Sequence, residues 1–441
     1  MDISIKIGNY TIKQNIGFLF CELLMFYVLI PTRGRIFGIT FGANLVLLIC
    51  FIGQFLTSKK LTRDIPRYCM AYIIISVFCI LIHFADRSIV NNVIAIIKLI
   101  APFYVVVVGI QNMDQFERIL KLIVNIFTVY SIFGILETIT HFNIFDAITK
   151  TKVVHEHANS LRFGLARNRG LADVSINNGM LLCLVLCIAA YVLIYATKKE
   201  RKWYQISYIL IFLDAFLTLS RAIWLELLIT QILIFIVLAP KSKLKIIGKI
   251  IAIGVIGALL LVCISPELLE KISFVFSGMF SSTYDAITGA ETSEVTDMSY
   301  GVGHRFALWT WVWEKAQGNL IFGSSASNPF IYISPTGYVK ESIEVMWLFK
   351  LYNTGFVGLL GYILFQAGSI KCMIRGNRLE KEIYKDKRVT FNYVMLVATL
   401  LYFVTQFSCS AFEDLKFYYI ILALLFCYNR ICKEKYMEMA K

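Results

Sequence analysis

The residues of this sequence best suited to chemistry are seven arginines that lie outside the lysine-rich segments between its apolar stretches. A guanidinium is a planar fork of donors that can bind two phosphate oxygens together, whereas a lysine ammonium is a point charge. These arginines therefore predict a site beside a membrane for an anion, most simply a lipid phosphate or a pyrophosphate. The alternative for each of them is ordinary contact with lipid headgroups. The set comprises Arg33, Arg35, Arg162, Arg167, Arg169, Arg221 and Arg305.

Several charged residues interrupt apolar segments, where they are costly in lipid and normally face a bundle interior or a water-filled cavity. Such charges could line a proton or ion path. Asp214 and Glu226 flank Arg221 in the sequence and could instead hold that arginine in place. The full set is Glu22, Lys98, Glu137, Asp214, Glu226 and Lys350.

Histidines and cysteines do not form a metal-binding or disulfide pattern. His155 and His157 stand two residues apart, but no partnering cysteine and no HExxH-type helix accompanies them. We therefore predict no metal site. Nearly all of the 11 cysteines fall in apolar segments, at their ends or in basic connectors, which is not typical of a disulfide framework.

The elements that must position these residues are membrane-spanning helices. Hydrophobic residues make up 58% of the 441 residues and charged residues 16%, which indicates an integral membrane protein. Apolar windows of spanning length occur about twelve times. The first fifteen residues lack the features of a signal peptide, so we expect the first span to remain as an anchor. The windows are 16–31, 38–56, 68–84, 93–110, 119–139, 178–196, 206–219, 222–239, 246–264, 345–366, 393–408 and 417–432.

Basic connectors predict the orientation. With twelve spans, all of the lysine-rich clusters fall on one side together with both termini, and the positive-inside rule makes that side cytoplasmic. Topology then explains most of the net charge of +14, so nucleic acid binding need not be invoked. The clusters are 59–67, 198–202, 241–245, 371–388 and 433–435.

The long polar loop is the most conspicuous feature of the opposite side. From His304 onward, Phe306, Trp309, Trp313 and Ala316 recur at helical spacing, which predicts an amphipathic helix at the water–lipid boundary. Gly318 and Gly323 are candidate stops for this helix. The alternative is a structural lid. We therefore divide the chain into N-terminal spans 1–140, an outer loop 141–178, central spans 179–265, the large outer loop 266–344, and C-terminal spans 345–441.

Three segments, in this order, resemble the O-antigen polymerase and O-antigen ligase superfamily of bacterial envelope glycan assembly. They are NRGLADVSINNGMLLCLVL at 168–186, LTLSRAIWLELLI at 217–229, and GHRFALWTWVWEKAQGNLIFG at 303–323 followed by ESIEVMWLFKLYNTGFVGLLGY at 341–362. The resemblance covers roughly residues 160–365. It implies an all-α polytopic membrane protein of about 12 spans with short helices in its large outer loop, of the GT-C-like kind.

The resemblance also implies a reaction. Members of this superfamily transfer a sugar chain from a polyprenyl pyrophosphate carrier to a hydroxyl on the outer face of the bacterial inner membrane. The carrier is already activated, so we expect no cofactor. Arg169, Arg221 and Arg305 are the expected pyrophosphate-binding residues. Ligases usually carry a histidine just before the span that follows the loop. Here that region reads Glu341-Ser342-Ile343-Glu344, which favours a polymerase of O-antigen or capsule type. The candidate bases are Glu341, Glu344 and His304.

Two other functions remain open. A ligase would transfer the chain to lipid A–core of lipopolysaccharide rather than to a second lipid-linked repeat. A flippase or exporter would place charges between two repeat-related halves, and no such repeat is visible. The expected partners are polyprenyl-pyrophosphate-linked oligosaccharide and membrane lipids, with a chain-length regulator and a flippase as further candidates.

Overall fold

The structure is a computed structural model that describes most of the chain outside the large loop. The described residues are 2–7, 10–29, 43–57, 65–86, 89–149, 161–162, 165–172, 174–238, 303–324, 330–333, 339–340, 343–385, 389–407 and 412–440. The apolar window at 246–264, most of the loop at 266–344 and the position of Glu341 lie outside them.

Helices dominate the described part of the chain. They are α1 Ile16–Tyr27, α2 Ala43–Thr57, α3 Arg67–Ile82, α4 Ile89–Gly109, α5 Met113–Thr140, α6 Ile144–Thr149, α7 Ser175–Tyr195, α8 Arg201–Leu217, α9 Arg221–Leu238, α10 Gly303–Ala316, α11 Met346–Ile383, α12 Phe391–Thr405 and α13 Phe412–Met439. Short 3-10 turns occupy Phe84–Asp86 and Gln317–Asn319.

Three small antiparallel hairpins complete the described structure. They pair β1 (Asp2–Ile7) with β2 (Tyr10–Asn15), β3 (Leu161–Arg162) with β4 (Leu165–Ala166), and β5 (Tyr332–Ile333) with β6 (Val339–Lys340). In the first hairpin Asp2 stands opposite Asn15 and Ile7 opposite Tyr10. Asn15 also begins the bundle, because its side chain accepts a hydrogen bond from the Gly17 amide and caps α1.

The helices agree closely with the apolar windows. Eleven of the twelve windows coincide with a described helix. Within the described residues, four helices are long and apolar enough to cross a membrane: α4, α5, α7 and α11. Shorter apolar helices include α1, α2, α3, α12 and part of α9. The protein is therefore a helical membrane protein, and the count of twelve spans stays a prediction.

Helix α7 is the centre of the bundle. Its residues are buried almost without interruption from Asn177 to Val192, as expected for a helix that is apolar on every side. It packs against α5, α8, α9, α12 and α13. The helices around it, in contrast, keep large apolar side chains exposed, among them Ile74 on α3 and Leu228 on α9. That exposure is typical of surfaces that face lipid.

The ends of the helices gather at two poles of the bundle. At one pole the Phe391 ring, at the start of α12, lies 4.9 Å from the ring of Phe116 on α5 and 5.0 Å from that of Tyr428 on α13. Tyr191, near the end of α7, joins them at 5.2 Å. We call this pole the basic end, because Lys198 and the other basic residues of the α7–α8 connection follow α7 there. The opposite pole, where α5 and α8 end and α7 and α11 begin, is the loop end.

Glu380 holds the basic end together. Its carboxylate, fully buried on α11, accepts hydrogen bonds from the Phe391 amide at 3.0 Å and from the Tyr428 hydroxyl at 2.5 Å. It also accepts from the backbone and side-chain amides of Asn392. These donors include the first amides of α12, which have no partner within their own helix. A carboxylate at a helix N-terminus also interacts favourably with the helix dipole.

Helix α11 is broken at the loop end. Gly355 has φ +63° and ψ −167°, so the chain leaves the helix for one residue. The amides freed by the break are satisfied by the loop: Phe356 N donates to Leu320 O at 2.8 Å, and Val357 N donates to Ile321 O at 3.2 Å. In return, Ser324 N donates to Tyr352 O at 2.7 Å. Non-helical backbone inside a membrane protein requires such internal partners.

Two glycines make this junction possible. A Cβ on Gly355 would lie 2.3 Å from Ile321 O, and a Cβ on Gly323, which has φ +82°, would lie 2.4 Å from the carbonyl carbon of Asn353. Both contacts are with backbone, which cannot rotate away. Gly323, predicted as a helix stop, therefore also lets the loop reach the break in α11.

The tryptophan helix expected from the spacing exists as α10, and its place at the water–lipid boundary stays a prediction. Leu308, Val312 and Ala316 are the buried residues, whereas Trp309 and Trp313 are each 45% exposed. The spacing of four that links the tryptophans is helical, and these two side chains are partly exposed. Helix α10 packs against α11, and the Trp313 ring lies 6.2 Å from the ring of Phe356, directly after the break.

Candidate functional site

A buried polar network fills the loop end between α5, α7 and α8. It is built around residues 167–171, which connect the β3–β4 hairpin to α7. Asn168 donates from Nδ2 to Asp214 Oδ1 at 2.6 Å and to the Asp214 carbonyl at 2.9 Å. Asn178 donates to Asn168 Oδ1 at 3.2 Å and accepts from the Tyr130 hydroxyl at 2.6 Å. Asp214 therefore has Asn168 as a described partner. The alternative that Asp214 holds Arg221 stays a prediction, because the Arg221 side chain lies outside the described ones.

Glu137, at the end of α5, anchors the same connection. Its two carboxylate oxygens accept from the amides of Arg169 at 3.4 Å and Gly170 at 3.0 Å. Asn143 donates to Glu137 Oε1 and to the Gly170 carbonyl, both at 2.9 Å. The in-span carboxylate is therefore used to fix a turn of backbone. This bonding accounts for Glu137 within the fold without an ion path.

The turn requires glycine. Gly170 has φ +53°, and a Cβ there would lie 1.9 Å from the Tyr130 hydroxyl. That hydroxyl accepts the Leu171 amide at 3.0 Å while it donates to Asn178. A side chain at position 170 would displace the tyrosine and open the network. The arginine–glycine pair at 169–170 is thus explained locally by backbone geometry.

Arg169 is buried by this turn, with 5% of its surface exposed. Its guanidinium forms an ion pair with Asp146 on α6 and donates to the Ala172 carbonyl at 3.4 Å. A charge-assisted pair of this kind fixes both the side chain and the short helix that carries Asp146. In this arrangement the guanidinium is held by a carboxylate of its own chain. Its predicted contact with pyrophosphate would need a rearrangement of that pair.

A second polar centre surrounds Lys350 in the first part of α11, and the predicted site omitted it. The Lys350 ammonium lies 3.4 Å from the Tyr72 hydroxyl, and 5.9 and 5.4 Å from the ring centroids of Tyr72 and Tyr362. The Tyr72 hydroxyl also hydrogen-bonds that of Tyr419 at 2.8 Å. No carboxylate pairs with Lys350 among the described residues. From the sequence, Lys350 was identified only as a charged residue inside an apolar segment.

For the other predicted site residues, the position in the secondary structure is described. Arg221 is the first residue of α9, and His304 and Arg305 lie in the first turn of α10. Glu344 is half-buried two residues before α11 begins. Helix starts present unpaired amides that favour anions, so these positions suit the predicted roles. Within the described residues, no three acidic, histidine or cysteine side chains group as metal ligands.

The site therefore consists of a rigid polar network around Glu137 and Arg169, a cation in an aromatic surround at Lys350, and the loop helix α10 packed near the break in α11. Residues 206–363, which contain most of α8, all of α9 and α10, and the first part of α11, match the family model described as O-antigen ligase. A comparison with curated proteins finds no match. The chain thus carries an O-antigen ligase family domain at residues 206–363, which confirms its resemblance to the O-antigen polymerase and O-antigen ligase superfamily.

Proposed function

We propose that this protein is a polysaccharide polymerase of the O-antigen or capsule type. It transfers a glycan from a polyprenyl pyrophosphate carrier to the hydroxyl of another lipid-linked repeat, on the outer face of the bacterial inner membrane. The family match over residues 206–363 supports a glycan-transferring enzyme of the membrane. The positive-inside rule supports an outward-facing loop end, since the described lysine-rich segments 198–202, 371–385 and 433–435 lie toward the opposite pole.

Lys350 is the observation that carries the proposal. A cation inside a membrane-spanning helix is costly and is usually paired or placed on a substrate pathway. Its described neighbours are phenol groups and aromatic faces, which stabilise a cation only modestly. A pyrophosphate at the loop end would supply the missing negative charge. Lys350 therefore joins Arg221 and Arg305 as a proposed ligand of the donor.

Arg169 takes a different role in this proposal. Because Asp146 already binds its guanidinium, Arg169 acts as a positioning residue that holds the α5–α7 connection at the edge of the site. Arg221 and Arg305 begin the two helices α9 and α10, which both lie within the matched domain. We propose that their side chains and Lys350 bind the pyrophosphate.

The reaction then needs one base and a stabilised leaving group. The acceptor hydroxyl oxygen attacks the anomeric carbon, and the bond from that carbon to the pyrophosphate oxygen breaks. The hydroxyl proton passes to Glu344, Glu341 or His304, which remain the proposed bases. The departing polyprenyl pyrophosphate carries the negative charge, which the cations stabilise. No redox partner or nucleotide enters this balance.

A matched pair of lysine variants tests the proposal. Lys435 also lies 3.4 Å from a tyrosine hydroxyl, that of Tyr384, but at the basic end. Lys350→Met should reduce donor binding and chain formation by roughly 10- to 100-fold, as expected for loss of a charged hydrogen bond. Lys435→Met should leave both within twofold. Both activities are measured on purified, folded protein with lipid-linked repeats. Normal polymerisation by Lys350→Met would refute the assigned role.

A deletion strain separates the related functions. Loss of a polymerase leaves single repeats on the acceptor, whereas loss of a ligase leaves a bare acceptor and carrier-linked chains. Loss of a flippase traps the repeats inside the cell. We expect single repeats when envelope polysaccharide is run on a gel.

A further inference from the structure

A second candidate site lies at the basic end, far from the loop. A cavity of about 610 Å³ opens between the start of α3, the second half of α11 and the end of α13. Its cationic lining residues are Arg67, Lys371, Arg375 and Lys433. Lys371 follows the break at Gly355 by about 24 Å along α11, at 1.5 Å per residue. Tyr68, which also lines the cavity, lies one helical turn before Tyr72, a neighbour of Lys350. The cavity therefore opens on the basic side of the Lys350 cluster.

Within the described part of the chain, the charges of this cavity are not balanced by carboxylates. No carboxylate lines it, and none of its four cations forms an ion pair among the described residues. Lys371 and Arg375 are four residues apart on one helix, where like charges repel. The positive-inside rule explains basic residues at this pole but not the convergence of three helices on one space.

A neighbouring cavity shows the opposite arrangement. It measures about 540 Å³, begins near the start of α5, and is lined by both signs of charge. There Arg118 pairs with Glu22 and Lys121 pairs with Glu200, each at 2.7 Å. The second cavity therefore supplies its own counter-charges, with carboxylates on its wall. The lining of the cavity around Arg375 contains no such carboxylate, so an anion from outside would complement it.

The surroundings of the cavity indicate where that anion comes from. Met70 and Ile74 lie three and seven residues after Arg67, on the same face of α3, and are 40% and 62% exposed. Ile374, beside Arg375, is 42% exposed. Apolar surface therefore runs from the cations along the membrane-spanning helices. This combination fits a phosphate that carries acyl chains better than a soluble one.

A buried acceptor at the floor of the cavity fits the same ligand. The Oδ1 atom of Asn429 is buried without a hydrogen-bond donor among the described residues. A hydroxyl of a glycerol headgroup can donate to it while the phosphate meets the cations. Asn429 lines the cavity, and a Cβ at position 376 would lie 2.5 Å from its Oδ1 atom, so the glycine leaves room for this side chain.

We propose that this cavity is a specific binding site for the phosphate headgroup of an anionic phospholipid, with phosphatidylglycerol as the fitting chemistry. The lipid would occupy the membrane leaflet at the basic end and join α3, α11 and α13. The proposal does not depend on the reaction catalysed at the loop end, and its test reads out binding alone.

The test uses the full-length protein in nanodiscs of phosphatidylcholine with increasing phosphatidylglycerol, with bound lipid counted by native mass spectrometry. The double variant Lys371→Gln, Arg375→Gln should lose at least tenfold in phosphatidylglycerol affinity. The control Lys198→Gln, Lys199→Gln removes the same charge from exposed positions at the same pole and should retain the wild-type affinity. Lys433→Gln, an exposed position on another helix, repeats the test with little risk to folding.

Competition identifies the source of the phosphate. Inorganic phosphate and glycerol phosphate at millimolar concentration should displace little of the lipid if the acyl chains contribute. Full displacement by either would overturn the lipid assignment in favour of a soluble ligand. Equal loss of affinity in the Lys198, Lys199 control would show a general charge effect and overturn the site. Wild-type affinity in both the double variant and Lys433→Gln would do the same.

Discussion

The break in α11 gives the sharpest prediction, because a single methyl group tests it. Gly355→Ala adds a Cβ that would lie 2.3 Å from Ile321 O and 2.6 Å from Gly323 N. The alanine must also keep φ +63° and ψ −167°, a backbone conformation that is essentially restricted to glycine and costs another residue about 1–3 kcal/mol. If the loop moves away, the hydrogen bonds of Phe356 and Val357 with the loop are lost.

The magnitude follows from these contributions. Two backbone hydrogen bonds are worth about 0.5–1.5 kcal/mol each, so with the backbone strain the junction should lose about 2–6 kcal/mol. At about 1.4 kcal/mol for each factor of ten, the amides at 320–324 and 356–357 should exchange with solvent roughly 30- to 20,000-fold faster. Hydrogen exchange followed by mass spectrometry of the two peptides measures this directly.

Gly318→Ala is the matched control. It lies in the same connection, but a Cβ there has nothing within 4 Å. Its exchange rates should stay within about threefold of wild type, since alanine at an unstrained position changes stability little. Gly355→Ala could instead make α11 a continuous helix. The 320–324 amides would still be released in that case, so the loop peptide detects both a displaced loop and a continuous α11. Similar exchange in Gly355→Ala and Gly318→Ala would refute the junction.

Two further predictions concern the basic end. Glu380→Gln removes the buried carboxylate that caps α12 at Phe391 and should lower the free energy of unfolding by about 1–3 kcal/mol. The exposed Glu382→Gln on the same helix should not, and equal thermal midpoints would contradict the cap. The hydrogen bond from Lys121 lowers the pKa of Glu200 from its ordinary value of 4.5. A lowered pKa stabilises the fold above 4.5, and this contribution is lost as the pH falls through the lower folded pKa. The thermal advantage of wild type over Glu200→Gln should therefore shrink only below pH 4.5, and a difference that stays constant as the pH falls from 4.5 through the lower folded pKa would contradict it.

Much of the architecture could be predicted because spanning helices leave a signal in hydropathy alone. The apolar windows found the helices, and the spacing from His304 found α10. Spacing could not say which side of α10 is inside, since the tryptophans and the Leu308 face repeat with the same period. The β1–β2 hairpin was missed although its signal is present. Isoleucines alternate from Ile3 to Ile7, and Gly8-Asn9 stands between the two strands.

The site was harder to predict because its contacts are distant in the sequence. Arg169 and Asp146 are 23 residues apart, and Lys350 and Tyr72 are 278 apart. No periodic pattern links such pairs. Arginine chemistry pointed to Arg169 as an anion ligand, but only the fold shows that a carboxylate already meets it. The break in α11 could not be predicted either. It depends on the loop, because the amides of Phe356 and Val357 donate to the carbonyls of residues 320 and 321 instead of to their own helix.

The loop and the proposed anion site therefore act as one unit. The segment of α11 before the break carries Lys350, whose carbonyl accepts the Thr354 hydroxyl at 2.7 Å. Its start is tied to α12, since Met346 N donates to Gln406 O at 3.0 Å, and its end is tied to the loop by Ser324. A short helix fixed at both ends holds its lysine in one position only while the loop is docked. The family match ends at residue 363, soon after the break, so the matched domain contains this unit and little of α11 beyond it. Undocking of the loop should consequently weaken donor binding even when Lys350 itself is intact, and Gly355→Ala measured for donor binding as well as hydrogen exchange decides whether the two are coupled.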